Sequence, residues 1–463
     1  MLSGAMVLAS APVPARAQMA TSLGFHIVYA CFGIAFPAVI LVAEWIGIRR
    51  NDPAALLLAR RWSKVMALLI AVGAVSGTVL SYEMGVLWPG LMGRFGQSIG
   101  IPFAVEGVFF FVEAIFAGVY LYGWDRLSPW AHWWSGMPIA VSGPLGALSV
   151  IAANSWMNQP TGFTLKAGRV TSVDPFAVYF NNATPYETPH MVLAAYMVTG
   201  FNVAGVYAVG LLRGRNDRYH RLGFLVPFTI AGIAAPIQLI VGDLIARVIE
   251  YQQPVKFASM EYVPHTARGV TEWLGGIYYN GHIYVGLGIP YLDSIFVGFS
   301  PHTQVIGWDS VPLSLRPPLP TLIHLSFNVM VAIGSGLFAL AVWQGWEWWF
   351  HRRIVRTPWF LAAAAVAGAA AALALESGWV VTEVGRQPWI VYGFLLTNNA
   401  VTAASGVEVT LAVVIVVYGV LSLISVGVPV IMSYRWRTET ALEEEREQVP
   451  YGPPAPPPRG ASP

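Results

Sequence analysis

The chain has 463 residues, of which 56% are hydrophobic and only 11% are charged, and its formal net charge is +2. So much apolar surface excludes a soluble globular domain of this size, and the small net charge gives no sign of a nucleic-acid partner. A single cysteine, Cys31, excludes an internal disulfide and a cysteine-ligated metal or iron–sulfur site. The composition therefore predicts a membrane protein with several spans.

Residues 1–20 are expected to form an N-terminal extension, either cleaved after Ala17 or lying upstream of a start at Met19. Nine apolar runs follow, each long enough to cross the roughly 30 Å of hydrocarbon in a bilayer. They lack the short alternating segments of an outer-membrane barrel, so the predicted fold class is an all-α polytopic membrane protein with about nine transmembrane helices. The runs lie near residues 21–47, 63–88, 102–123, 134–156, 188–212, 222–249, 321–346, 358–381 and 403–432.

Basic residues predict the orientation of these helices. Most of the Lys and Arg fall between spans one and two, three and four, five and six, and seven and eight, or after span nine. The positive-inside rule then places the N-terminus outside, in the periplasm, and the C-terminus in the cytoplasm. Four further units follow: helices 1–6 over 21–249, a long periplasmic loop over 250–320, helices 7–9 over 321–435, and a disordered cytoplasmic tail over 436–463.

Ionisable groups inside the predicted spans are costly unless they are paired, protonated or bound to a cofactor. Glu106 and Glu113 are seven residues apart, which puts them on one helix face about 10 Å apart along the axis. The pair fits a proton-carrying step, and it fits hydrogen bonds between helices equally well. Two further residues carry simpler expectations: Glu408 is predicted to be a buried acid early in span nine, and His132 a solvated side chain in a basic loop.

His26, His190 and Met330 lie in spans one, five and seven. Histidine and methionine are common protein ligands of electron-transfer haem. A hydrogen-bonded core histidine and a gap-filling methionine explain the same residues without a cofactor. From spacing alone, a transporter with a proton relay also fits the chain.

A resemblance separates these alternatives. The segment Gly378–Trp389 ends in Gly-Arg-Gln-Pro-Trp and contains Glu383 and Arg386. It resembles a signature of the larger, haem-bearing subunit of cytochrome bd-type quinol oxidases, in the branch with a short quinol loop. The resemblance runs in order from about residue 20 to 435, and it includes the motifs Ile101–Gly107, Phe111–Glu113, Tyr120–Arg126 and Ala153–Met157.

The resemblance implies the activity and the cofactors. Members oxidise quinol and reduce O2 to water, using one low-spin haem b and a high-spin pair, usually a haem b with a haem d. It implies His190 and Met330 as axial ligands of the low-spin haem, and His26 and Glu383 as ligands at the high-spin pair. A further haem b in place of haem d is left open, because both accept the same protein ligands.

Roles for the other charged residues follow from the same resemblance. Glu106 is expected at the high-spin site, Glu113 in proton delivery, and Arg386 beside the haem propionates. Lys256 and Glu261 in the long loop are expected to bind quinol, although an exposed charge pair in a wet loop is the simpler interpretation.

The resemblance also implies partners and a location. The expected partners are quinol, O2 and a smaller membrane subunit II, with a small single-span subunit left open. The expected location is the bacterial cytoplasmic (inner) membrane, where the reaction would contribute to the proton motive force. Two alternatives stay open at this point: a relative with only b-type haem that passes quinol electrons to a partner, and a haem-free membrane paralogue or transporter.

Overall fold

The structure is a computed structural model that describes residues 13–436. Within this range, nine helices are long and apolar enough to cross a membrane, which confirms the all-α prediction. In order, spans one to nine are Val13–Arg50, Pro53–Leu87, Pro89–Gly123, Pro129–Asn158, Thr184–Leu212, Arg218–Gln252, Pro320–His351, Pro358–Gly385 and Val407–Arg435. The tail expected over 436–463 lies outside the described residues except for Trp436.

The first helix begins earlier than the hydropathy suggests. It starts at Val13, so residues 13–20 of the expected N-terminal extension belong to span one. Gln18 is buried there, and its Nε2 donates a hydrogen bond to Glu83 Oε1 of span two at 2.8 Å. This part of the expected extension therefore packs against the helix bundle.

Spans five to eight form a four-helix bundle. Span five packs against spans six and eight, and span seven packs against the same two helices from the opposite corner. Span one contacts spans two, four and five, span three lies against span four, and span nine lies on spans one and two. Span one therefore joins the four-helix bundle to the remaining helices.

Glycines allow the closest approaches between spans. A Cβ atom on Gly200 of span five would lie 2.7 Å from the Pro227 carbonyl oxygen and 2.8 Å from Ala231 Cβ, both in span six. A Cβ atom on Gly143 of span four would lie 2.9 Å from the Gly33 carbonyl oxygen of span one. Small residues at such positions let membrane helices pack backbone to backbone.

Replacing Gly200 with valine is therefore expected to destabilise the protein by about 1–3 kcal/mol, because two backbones would have to separate. Gly345→Val is the matched control, since a Cβ atom at Gly345 in span seven meets nothing within 4 Å. Thermal unfolding of the purified complex measures the difference. Equal melting temperatures for the two variants would show that the contact at Gly200 is unimportant.

Three connections lie together at one end of the bundle, which we call the loop face: residues 159–183, 253–319 and 386–406. The opposite end, which carries the short connections rich in arginine, is called the basic face. The loop face contains five two-stranded antiparallel sheets. Their strands are Phe163–Lys166 with Arg169–Val173, Ala267–Arg268 with Gln304–Val305, Glu272–Leu274 with Leu287–Ile289, Ile277–Tyr279 with His282–Tyr284, and Trp389–Val391 with Leu395–Leu396.

The long loop between spans six and seven is a structured unit. It begins with the helix Pro254–Glu261, and three of the strand pairs nest inside one another to form an interrupted ribbon over 267–305. His324 of span seven fixes this unit, because its Nδ1 lies 2.5 Å from the Met260 carbonyl oxygen. Asn328 adds a second tie, since its Oδ1 accepts a hydrogen bond from Gly275 N at 2.8 Å.

Two expectations for single residues are wrong. His132 is fully buried, with Nδ1 2.7 Å from Glu44 Oε1 and Nε2 2.9 Å from the Tyr120 carbonyl oxygen. Span four begins at Pro129, so His132 lies in its first turn and faces other helices rather than a loop. Glu408 is exposed in the first turn of span nine rather than buried.

Candidate functional site

His190 and Met330 lie on diagonally opposed helices of the four-helix bundle. The His190 ring lies against span six, with Nδ1 3.3 Å from Gln238 Nε2 and Cε1 3.6 Å from the position of a Cβ atom on Gly242. Met330 Sδ lies 3.0 Å from the position of a Cβ atom on Gly378 in span eight. Both side chains therefore pack against helices that border both span five and span seven.

The two side chains also lie at the same depth. Asn202 Nδ2 of span five donates a hydrogen bond to the Gly368 carbonyl oxygen of span eight at 3.1 Å. The two spans run antiparallel, so this register places His190 level with residue 380, which is next but one to Gly378. The structure thus brings the expected axial pair to one level, and glycines at 242 and 378 leave room beside both ligands.

His26 faces span two. Its Nδ1 lies 3.0 Å from Ser76 Oγ, and its Cε1 lies 3.0 Å from the position of a Cβ atom on Gly77. Glu376 of span eight approaches span one at Gly24, with Oε2 3.2 Å from the position of a Cβ atom there. Glu376 Oε1 is buried and has no hydrogen-bond partner within residues 13–436. No role was predicted for Glu376 from the sequence, although it lies on span eight like Glu383.

Glu106 and Glu113 of span three lie alongside span one. Glu113 Oε1 lies 3.2 Å from the position of a Cβ atom on Gly33. Both helices start at the loop face and run in the same direction, so Glu106 lies level with His26, seven residues before Gly33. Glu113 is the member of the pair nearer to the basic face. The two acids thus follow one another from the level of His26 toward the basic face, and their role in proton delivery stays a prediction.

A buried charged cluster closes the loop-face end of the bundle. Asn154 Nδ2 donates to Glu383 Oε1 at 2.7 Å, and Arg386 Nη2 donates to Glu383 Oε2 at 2.5 Å. Arg386 is only 3% exposed, yet its Nε and Nη1 have no hydrogen-bond partner in the described part of the chain. A buried guanidinium with two unsatisfied donors fits an anionic group such as a carboxylate of a bound cofactor. The donor set therefore fits a haem whose propionates reach this cluster.

Lys256 and Glu187 complete the charged cluster. Lys256 is 5% exposed, and its Cγ lies 3.1 Å from the position of a Cβ atom on Gly385. Burial lowers the pKa of Lys256 to about 8, while the nearby carboxylate of Glu187 acts in the opposite direction. Glu187 was missed by the sequence reasoning. The one sequence feature that could have marked Glu187 as a site residue is its position three residues before His190, which is about one helical turn.

Glu261 lies in different surroundings from Lys256. The two residues are five apart on the helix Pro254–Glu261, so they point about 140° away from each other around its axis. Glu261 is 4% exposed and lies beside Glu272 and Asp293, which are buried as well. The interpretation of Lys256 and Glu261 as an exposed charge pair is therefore wrong.

The second group of acids is defined as the acid cluster: Glu261, Glu272 and Asp293. Burial and then the neighbouring carboxyl of Glu272 hold the pKa of Glu261 well above its usual range. Burial raises the pKa of Glu272 to about 7. Burial, together with the charges of Glu272 and Glu250, raises the pKa of Asp293 to about 8. Each acid also has one oxygen without a partner among residues 13–436, so the cluster can hold and exchange protons near neutral pH.

A histidine–methionine pair and a further histidine within nine spans, together with a charged cluster and an acid cluster at the loop face, describe a membrane redox protein. The chain matches the family described as cytochrome bd terminal oxidase subunit I over residues 14–435, and it belongs to this family.

Individual relatives support the same family assignment. The chain is 33% identical over 416 residues to a protein of Bacillus subtilis (strain 168) described as a candidate cytochrome bd menaquinol oxidase subunit I, covering 88% of this chain and 93% of the relative. It is 26% identical over 457 residues to the cytochrome bd ubiquinol oxidase subunit 1 of the same organism, covering 95% and 96%. The bd oxidase structure from Geobacillus thermodenitrificans superposes with a TM-score of 0.86 at 34% identity, covering 92% of this chain and 98% of that one.

These comparisons confirm the predicted family, the enzyme class and the multi-pass location. The protein is subunit I of a cytochrome bd quinol oxidase, a quinol:O2 oxidoreductase of the bacterial respiratory membrane. The family binds haems, and subunit I implies a subunit II as its partner. A haem-free transporter is not compatible with this family membership.

Proposed function

We propose that this subunit oxidises quinol at the loop face, which lies in the periplasm, and reduces O2 to water with protons taken up at the basic face. The reaction then contributes to the proton motive force. The observation that carries this proposal is Arg386, a buried cation with two unsatisfied donors beside Glu383 and within the same bundle as His190 and Met330. Quinol, O2 and subunit II are the partners proposed, with a small single-span subunit left open.

We propose a low-spin haem b held between His190 and Met330, and a high-spin haem b with haem d, or a further haem b, near His26 and Glu383. When bound, these haems supply one-electron transfer and the site at which O2 binds. His190 and Met330 would hold a haem suited to electron transfer. His26 and Glu383 would hold the haems that supply the O2 chemistry. Asn154 and Arg386 fix the orientation of the Glu383 carboxylate.

The acid cluster supports the quinol step. A quinol hydroxyl must lose its proton as the electrons leave, and a carboxyl group with a raised pKa is a suitable base near neutral pH. Glu261 is therefore proposed to take the proton and share it with Glu272 and Asp293, which lead it to the loop face. Lys256 faces the Glu187, Glu383 and Arg386 side, where its charge balances the carboxylates next to the proposed haems.

Protons for water formation enter from the other side. Glu113 lies nearer to the basic face and Glu106 lies level with His26, so the two acids form consecutive steps toward the high-spin site. Quinol protons thus leave at one face while protons for O2 reduction arrive from the opposite face. The charge separation follows from this geometry without a separate pump.

The experiment that tests the cofactor assignment is a reduced-minus-oxidised visible spectrum of the purified complex, with and without CO, together with haem extraction. A red-shifted chlorin band that responds to CO would establish haem d at the O2 site. Bands of haem b alone would support the all-b alternative, and CO binding would then show whether that form can bind O2. A complex without haem would contradict the proposal.

Replacing Glu261 with alanine is expected to lower quinol oxidation by about 100-fold or more, because general-base catalysis typically contributes 10²–10⁴-fold. O2 consumption driven by an artificial electron donor should persist, since that donor bypasses the quinol site. Asp309→Asn is the control, because Asp309 is an acid of the same loop that bonds to His265 outside the acid cluster. Equal losses with both electron sources would remove Glu261 from the quinol site.

The Asp293→Asn variant is expected to change the pH dependence of quinol oxidation. The Asp293 carboxylate helps to raise the pKa of Glu261, so its removal lowers that pKa. The base is active only when deprotonated, above its pKa, so the acid limb of the kcat/KM profile should move to lower pH. Steady-state rates with quinol across pH 5–9 measure the shift. An unchanged acid limb would mean that Glu261 is not the titrating base.

A further inference from the structure

A deep cavity opens at the basic face, far from the loop-face sites. It lies between spans one, two, five, six and nine and has a volume of about 1410 Å³. Sites for drug-sized ligands usually have roughly 300–1,000 Å³, so this cavity suits a longer molecule. Its walls are apolar side chains of these spans, among them Val28, Phe32, Val65, Val206 and Val430.

The rim of the cavity is positively charged. Arg60 and Arg218 line it but are paired with Asp125 at 2.7 Å and Asp52 at 2.5 Å. Arg213 and Arg215 line it as well, and neither has an ion-pair partner among residues 13–436. Asp217 lines the rim too, where it pairs with His220, so Arg213 and Arg215 have no ion-pair partner there in the described part of the chain. Two such guanidinium groups above an apolar cleft favour an amphiphile with an anionic head.

The cavity ends within the membrane. Its inner end is at Tyr29 and Ser425, whose hydroxyl groups hydrogen-bond at 2.5 Å and join span one to span nine. Beyond this bond the two spans are in contact, because the rings of Phe25 and Tyr418 stack at 4.3 Å. Eleven residues separate Ser425 from Trp436 at the rim, which corresponds to about 16 Å along the helix, or one leaflet. A partner helix that crosses the whole bilayer does not fit such a cavity.

We propose that this cavity is a binding site for an anionic phospholipid of the cytoplasmic leaflet. The acyl chains lie along the apolar walls from the rim to Tyr29, and the phosphate is held by Arg213 and Arg215. Guanidinium groups form paired hydrogen bonds with phosphate oxygens, which a zwitterionic lipid satisfies less well because its own cation competes. The lipid would reach Tyr29, which is three residues from His26. It would fill the space between spans that pack directly against each other elsewhere.

The test compares lipid retention by the purified, delipidated oxidase complex in detergent. Phosphatidylglycerol and phosphatidylcholine are added separately, and bound lipid is counted by native mass spectrometry. We expect phosphatidylglycerol to be retained preferentially. Arg213→Gln with Arg215→Gln should weaken this retention on the order of 10-fold or more, since each arginine near an anionic headgroup contributes a share of the attraction.

Matched controls separate the cavity from general effects. Arg352→Gln with Arg356→Gln removes the same charge from the basic face without touching the cavity lining, and it should retain the lipid normally. Val206→Trp fills the cavity, whereas Val366→Trp places the same ring on a similarly exposed position of span eight. Only the first of these two variants should lose the lipid.

Several outcomes would overturn the proposal. These are equal retention of the two lipids by the unaltered complex, unchanged retention in both the Arg213/Arg215 and Val206 variants, or a photo-crosslinker at Val206 that captures a single-span polypeptide instead of lipid. Quinol oxidase activity is not the readout, so the result does not depend on the haem and quinol assignments.

Discussion

Replacing Met330 with leucine is expected to abolish the low-spin spectrum of the complex and to lower quinol oxidase turnover by at least about 100-fold. Loss of a residue that supports a metal ligand only indirectly typically lowers metal affinity or activity 10–100-fold, and this variant removes a proposed axial ligand itself. Leucine has nearly the same volume, so the packing against Gly378 should survive. Low-temperature electron paramagnetic resonance and the reduced visible spectrum measure the change in spin state.

Met197→Leu is the matched control for this variant. Met197 is a buried methionine of the same four-helix bundle, seven residues along span five from His190. It should keep both the low-spin signal and the turnover. A low-spin signal that persists in Met330→Leu would place the second axial ligand elsewhere.

Replacing Arg386 with glutamine is expected to lower the midpoint potential of the nearest haem by on the order of 50–100 mV, because a neighbouring cation stabilises the form that carries the additional electron. The variant also leaves the half-buried Glu383 carboxylate without its ionic partner, which should reduce haem content and lower the free energy of unfolding by about 1–3 kcal/mol. Spectroelectrochemical titration of the purified complex measures the potential.

Arg386→Lys separates charge from geometry. Lysine keeps the positive charge but cannot donate through the guanidinium fork, so the potential should stay near that of the unaltered protein while haem retention falls. If glutamine and lysine gave the same potential, the charge of Arg386 would not act on the haem, and the two unsatisfied donors would need another explanation.

The sequence was sufficient for the spans and for the identity of the proposed ligands. Hydrophobic runs report directly on what can lie in lipid, so the number of spans was predictable. Their ends were less so, since the helices of spans two and three begin at Pro53 and Pro89, well before the predicted runs 63–88 and 102–123. His26, His190, Met330 and Glu383 could be named because each lies in a span and corresponds by position to a residue of the family that the chain resembles. Their relative depth was not predictable, because it depends on the register between helices that are far apart in the chain, such as the contact of Asn202 with Gly368.

At the loop face, the neighbours of the charged side chains were not predictable from the sequence. The family resemblance assigned Lys256 and Glu261 together to quinol binding, but a helix of eight residues turns them toward different neighbours. Glu187, Glu272 and Asp293 join them through tertiary contacts between separate segments, for which no local pattern exists. The strands of this region are two to five residues long, too short for an alternating pattern to reveal them.

The hydrogen bonds that join the long loop to span seven bear on whether quinol loses its proton and its electron together. His324 holds the carbonyl group of Met260, the residue before Glu261, and it lies six residues before Met330 on the same rigid helix. Glu261, the proposed proton acceptor, and Met330, a proposed haem ligand, are thus joined through one helix and one hydrogen bond, which restrains their separation. Such a restraint favours the loss of the proton and the electron from one quinol in concert.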